Sequence, residues 1–106
     1  MYKGNNGDKD NLLIDNVFNQ AIAEVIKELR QERGLSLQEL ADKMNNVVTR
    51  QTLNRYELGL SKLRMNNFIQ LAKAFNMQPK DLFEKFNIRY IKKMTQYTDE
   101  IANKGE

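Results

Sequence analysis

Residues that start and stop helices recur at short intervals through the middle of this chain, and they restrict it to a succession of short helices. Gly34 is followed by Ser36-Leu37-Gln38-Glu39. That is a capping box, in which the Ser36 and Glu39 side chains satisfy each other's backbone N–H groups. Asn45-Asn46 interrupts next, because Asn tolerates the left-handed backbone. Thr49 is a plausible N-cap, Gly59 a stop and Asn76 another stop; Pro79, the single proline, suits the first turn of a further helix. Between these marks apolar residues recur at helical spacing. Phe18, Ile22, Val25 and Leu29 form the stripe of a first helix, with Asp15 as its cap and Gly34 as its left-handed end. Leu37, Leu40, Ala41 and Met44 stripe a second. Met65, Phe68, Ile69, Ala72 and Phe75 stripe a fourth, and Leu82, Phe83 and Phe86 are the expected buried face of a fifth. No β pattern of comparable length appears; the nearest is Asn87–Lys92, where Ile88 and Tyr90 alternate with polar residues. The expectation is an all-α domain of five helices over residues 15–86.

The third helix, roughly Arg50 to Leu58, differs from its neighbours. Only Leu53 and Tyr56 look inward, and Arg50, Gln51, Thr52, Asn54 and Arg55 are polar. It has too few apolar residues to exist for the core alone. Its long hydrogen-bonding side chains match base edges: Arg pairs with guanine O6/N7, and Gln or Asn with adenine N6/N7. Thr49 and the free N–H groups of that helix suit a phosphate. The plain alternative for this face is solvation. Charge placement bears on the choice. Lys+Arg number 17 and Asp+Glu 14, a net charge of +3. Between Thr49 and Arg64 stand Arg50, Arg55, Lys62 and Arg64 against Glu57, also +3, so the whole basic excess falls in this segment.

Other functions lose their chemistry. Cys and His are both absent, which removes disulfides, thiol nucleophiles, imidazole acid–base catalysis and nearly every zinc site. No carboxylate loop has calcium spacing, and Asp42, Glu39 and Glu84 read as solvated carboxylates or caps. The expectations are no enzyme, no cofactor and no metal. No apolar run reaches the roughly 18 residues of a membrane span, and no signal peptide opens the chain. The expected location is cytoplasmic, with no membrane partner.

The ends read differently from the middle. Residues 1–14 open with a Gly/Asn/Asp/Lys-rich stretch that cannot bury enough surface to order itself, and are expected to be a flexible arm. Residues 87–106 are expected to be a C-terminal extension, helical in the main reading. Phe83, Asn87, Tyr90, Met94, Tyr97 and Ile101 are spaced 4, 3, 4, 3 and 4 apart, a heptad seam with one Asn. A helix packing back on its own domain, a dimer-forming helix and a β or coil extension remain open. Phe83, Tyr90, Met94, Tyr97 and Ile101 are the dimerisation candidates.

From Ile26 to Phe83 the chain resembles the lambda-repressor-like helix-turn-helix domain of the Xre family, the Cro and repressor type. The residues that carry this are IKELRQERGLSLQELADKM, TRQTLNRYELG and FIQLAKAFNMQPKDLF. The resemblance implies a second helix lying across the DNA backbone and a third entering the major groove. It places base reading on Arg50, Gln51, Asn54 and Arg55, and phosphate contacts on Gln38, Thr49, Thr52, Lys62 and Arg64. It places Arg30 and Glu57 as a structural ion pair between the first helix and the end of the third. Its implied partners are a double-stranded DNA operator and a second copy of the chain, in a transcriptional regulator, a repressor in the leading reading. An antitoxin that also binds a toxin, or the recognition module of a longer or peptidase-associated regulator, are the alternatives. Three features depart from the family. Asn45-Asn46-Val47-Val48 lengthens the turn before the third helix, Leu37 stands where Gln is common, and Leu63 stands where Pro is common.

Overall fold

The structure of the protein, a computed structural model, describes the backbone of residues 5–104 and the side chains of residues 13–100. Five helices follow one another: α1 (Asn5–Glu32), α2 (Leu37–Lys43), α3 (Arg50–Glu57), α4 (Met65–Ala74) and α5 (Pro79–Lys104). No strand occurs among the described residues. The fold is all-α.

The first four helices end in the same way. A residue with positive φ follows each, at Gly34 (64°), Asn45 (57°), Gly59 (73°) and Asn76 (58°). In each case two backbone bonds close the end. The pairs are Gly34 N–H to Gln31 O with Leu35 N–H to Arg30 O, and Asn45 N–H to Asp42 O with Asn46 N–H to Ala41 O. Gly59 N–H to Tyr56 O with Leu60 N–H to Arg55 O, and Asn76 N–H to Lys73 O with Met77 N–H to Ala72 O, complete the set. This is the Schellman arrangement, which satisfies carbonyls the helix leaves unpaired. It reverses the chain tightly enough for short helices to fold back on one another.

The core is one cluster drawn from all five helices. Ile26, Leu40, Met44, Leu53, Leu71, Phe75, Leu82 and Phe86 are essentially inaccessible. α1 and α5 pack together most extensively. Phe18 meets Tyr90 edge to face at 5.5 Å between ring centroids, and Arg89 donates to Glu24 (2.9 Å) and Glu28 (2.8 Å). Lys93 also pairs with Glu24. Partial burial works to raise the Glu24 carboxyl, but Lys93 and Arg89 outweigh it and hold it below the usual value. The Arg89 hydrogen bond likewise lowers Glu28.

Several sequence expectations change. α1 begins at Asn5, so Asp15 lies inside it and caps nothing, and residues 5–14, expected as a flexible arm, continue the helix. Val17 and Ala21 are buried and lengthen the apolar stripe backward, and no proline blocks its extension. Residues 1–4 lie outside the described residues. α5 runs unbroken through Asn87–Lys92, because Leu82, Phe86 and Tyr90 keep one face on the core at helical spacing. Phe83, expected in that core, is 51% exposed; it sits one residue round the helix from buried Leu82. Met65 (72%) and Ile69 (42%) are also exposed. The inward face of α4 centres instead on Phe68, Leu71, Ala72 and Phe75, and Met65 opens the helix beyond the core's edge.

Candidate nucleic-acid interface

α3 is built to hold one face down and offer the other. Thr49 has extended backbone, and its Oγ1 accepts the Thr52 N–H at 3.1 Å, capping the helix; the two hydroxyls also bond at 3.1 Å. Val48, Leu53 and Tyr56 are buried and anchor the helix. The Tyr56 hydroxyl accepts from Asn67 Nδ2 at 2.8 Å, tying α3 to α4. The lengthened turn is absorbed by two successive left-handed residues, Asn45 and Asn46, which leaves Val47 exposed and Val48 in the core.

Arg50, Gln51, Asn54 and Arg55 all lie on the exposed side of α3. They are not equivalent. Arg55 donates through Nε to Ser61 Oγ (2.9 Å) and through Nη2 to the Leu60 carbonyl (3.3 Å), so its guanidinium braces the loop after α3. Arg50, Gln51 and Asn54 extend from the first two turns.

Glu57, the acid of this segment, faces the other way. Its Oε2 and Oε1 accept from Arg30 Nε (2.7 Å) and Nη2 (3.0 Å), with side chains only 5% and 14% exposed. Arg30 also donates to the Leu35 carbonyl at 2.8 Å. The bonds to Glu57 raise the Arg30 guanidinium pKa, against a smaller opposing effect of burial. The pair ties α1 to the end of α3 and removes the segment's negative charge from its surface. Arg50, Arg55, Lys62 and Arg64 remain outside.

Thr49, Thr52, Ser61, Lys62, Arg64, Asn66 and Asn67 line one cavity of about 500 Å³ between the turn, α3 and the start of α4. Arg64 is the N-cap residue of α4 and makes no side-chain capping bond. The first N–H groups of that helix therefore lack the partner a side-chain cap supplies, and Asn66 and Asn67 of its first turn line the cavity. Gln38 stands elsewhere, exposed on α2 and donating to Asp42 Oδ1 at 3.0 Å. Among the dimerisation candidates, Phe83 and Tyr97 are exposed, while Tyr90 and Met94 are half-buried. The Ile101 side chain lies outside the described residues.

Residues 26–82 match the family described as helix-turn-helix. The chain belongs to that family, in its Xre, lambda-repressor-like form. The matched stretch runs from the later part of α1 through α2, α3 and α4 into the start of α5. Among solved structures, the fold is similar to the crystal structure of the clp gene regulator ClgR from Corynebacterium glutamicum. The two are 17% identical, with a TM-score of 0.68 over 81% of this chain and 87% of that one. No curated protein matches the sequence.

Some parts of the helix-turn-helix surface escape a reading of the sequence. Asn66 and Asn67 join the cavity wall only because α4 begins at Met65 and turns them toward α3. The bracing of Arg55 by Ser61 depends on how the Gly59 turn folds back, which spacing does not reveal. Arg33 donates to the Phe75 carbonyl and lies 5.1 Å over its ring, a helix-joining role without a local signal.

Proposed function

We propose that the protein is a sequence-specific DNA-binding transcriptional regulator, a homodimer that represses by occupying promoter DNA. Membership of the helix-turn-helix family supports DNA binding, and the fold shared with a protein titled a gene regulator is consistent with regulation. The observation that carries the reading is the outer face of α3. Arg50, Gln51 and Asn54 stand exposed at the front of a helix whose other face is locked into the core.

In this reading α3 enters the major groove N-terminus first. Arg50 addresses guanine, and Gln51 and Asn54 address adenine. Arg55 presents the loop that carries Lys62 and Arg64, with its remaining guanidinium edge toward the groove. Phosphate lies along the cavity of Thr49, Thr52, Lys62 and Arg64, and the free N–H groups of α4 add donors there. Gln38 meets the backbone from α2 once its bond to Asp42 yields.

One such domain covers a half-site, and a second copy supplies the rest of the specificity. The exposed Phe83 and Tyr97, with Met94 between them on α5, are the surface for that copy; aromatic and Met side chains are favoured at interfaces. Selection of genomic fragments by the purified protein, followed by footprinting, tests the reading. The expected result is a near-palindromic site with half-sites about 34–36 Å apart. Recovery of fragments without a shared motif would overturn it.

A further inference from the structure

We propose that Asp15 sets the protein's DNA affinity by competing with the phosphate backbone for Lys62. The inference rests on the DNA-binding reading of the cavity between α3 and α4. Asp15 comes from α1, 47 residues away in sequence, and its Oδ2 lies 3.4 Å from Lys62 Nζ. The two side chains are 55% and 75% exposed. An ion pair that exposed adds little to folding, so stability does not account for it. Its position does: Lys62 and Arg64 are the two cations of the cavity wall, beside Thr49, Thr52 and Asn66.

A phosphate entering that cavity needs the Lys62 ammonium that Asp15 holds. Once the phosphate is bound, the displaced carboxylate stays within a few ångströms of it. That is well inside the screening length of about 10 Å at 0.1 M salt. The same carboxylate therefore partly offsets a cation on the free protein's surface and repels the anion that takes it. The effect acts on every DNA sequence alike, since the backbone carries no base information. It acts as a brake on nonspecific binding, where phosphate contacts supply nearly all the affinity.

Fluorescence-anisotropy titrations of full-length protein with an operator duplex and a scrambled duplex test this. Asp15→Asn should bind both duplexes about twofold to fivefold more tightly at low salt, with the gain fading as salt rises. In a Lys62→Ala background most of that gain should disappear. An equal gain in both backgrounds would mean a general charge effect and would refute competition for Lys62, as would unchanged or weaker binding by Asp15→Asn. Absence of salt-dependent binding by the wild-type protein would instead refute the DNA-binding reading itself.

Discussion

Replacing Glu57 with Ala strips Arg30 of two charge-assisted hydrogen bonds, at 2.7 and 3.0 Å, and leaves it only the Leu35 carbonyl. The Glu57 side chain is 5% exposed and that of Arg30 14%, so the stranded guanidinium meets water only along its outer edge and through the space Glu57 vacates. Removing one partner of a buried pair costs about 3–5 kcal/mol, most of it the penalty of an uncompensated charge. The partial exposure of the pair puts the expected loss at about 3 kcal/mol, the low end of that range. A domain of this size has roughly 5–15 kcal/mol to lose, and each kcal/mol shifts Tm by about 4–8 °C at around 100 residues. The melting temperature followed by circular dichroism should therefore fall by about 12–24 °C. The double variant Arg30→Leu/Glu57→Leu should lose less than Glu57→Ala alone, because it leaves no charge behind. If Glu57→Ala melts within about 2 °C of wild type, the pair does not join α1 to α3, and the reasoning fails.

Other perturbations probe separate parts of the account. Lys62→Ala and Arg64→Ala should each weaken binding to all DNA sequences alike and reduce the log–log salt slope by about one; an unchanged slope would take that residue off the interface. Folded-state carboxyl values are depressed at Glu24 and Glu28. The stability they contribute is present above the ordinary carboxylate value and is lost as pH falls through the depressed one. Arg89→Gln should therefore lower stability at neutral pH and flatten its loss as pH falls below the ordinary carboxylate range, measured by urea denaturation at each pH. Phe83→Lys/Tyr97→Lys should give a folded monomer with weakened operator binding; sedimentation of the wild type as a monomer, free and on DNA, would refute the α5 interface.

Much of the helical scaffold is legible because its signals are local. Gly34, Asn45, Gly59 and Asn76 each adopt the left-handed geometry that their type permits, and Ser36 with Glu39 closes a capping box written in four residues. The polar outer face of α3 is equally plain, since only Leu53 and Tyr56 interrupt it on the inside. What the sequence hides is decided by partners far along the chain. Met65 and Phe83 have the spacing of core residues and are exposed because no element lies over them. Asp15 reads as a cap, yet α1 runs past it to Asn5 and carries it to Lys62. Arg55 reads as a base contact, and its bonds to Ser61 and Leu60 emerge only once the loop folds back.

The central claim is that α3 reads bases, and the direct measurement is the consensus selected from random duplexes by wild type, Arg50→Ala, Gln51→Ala and Asn54→Ala. Each substitution should cost about 1–3 kcal/mol on the wild-type site and relax preference at one or two base pairs, different for each residue. Nonspecific affinity should fall less. An identical consensus from all four proteins would contradict base reading by α3.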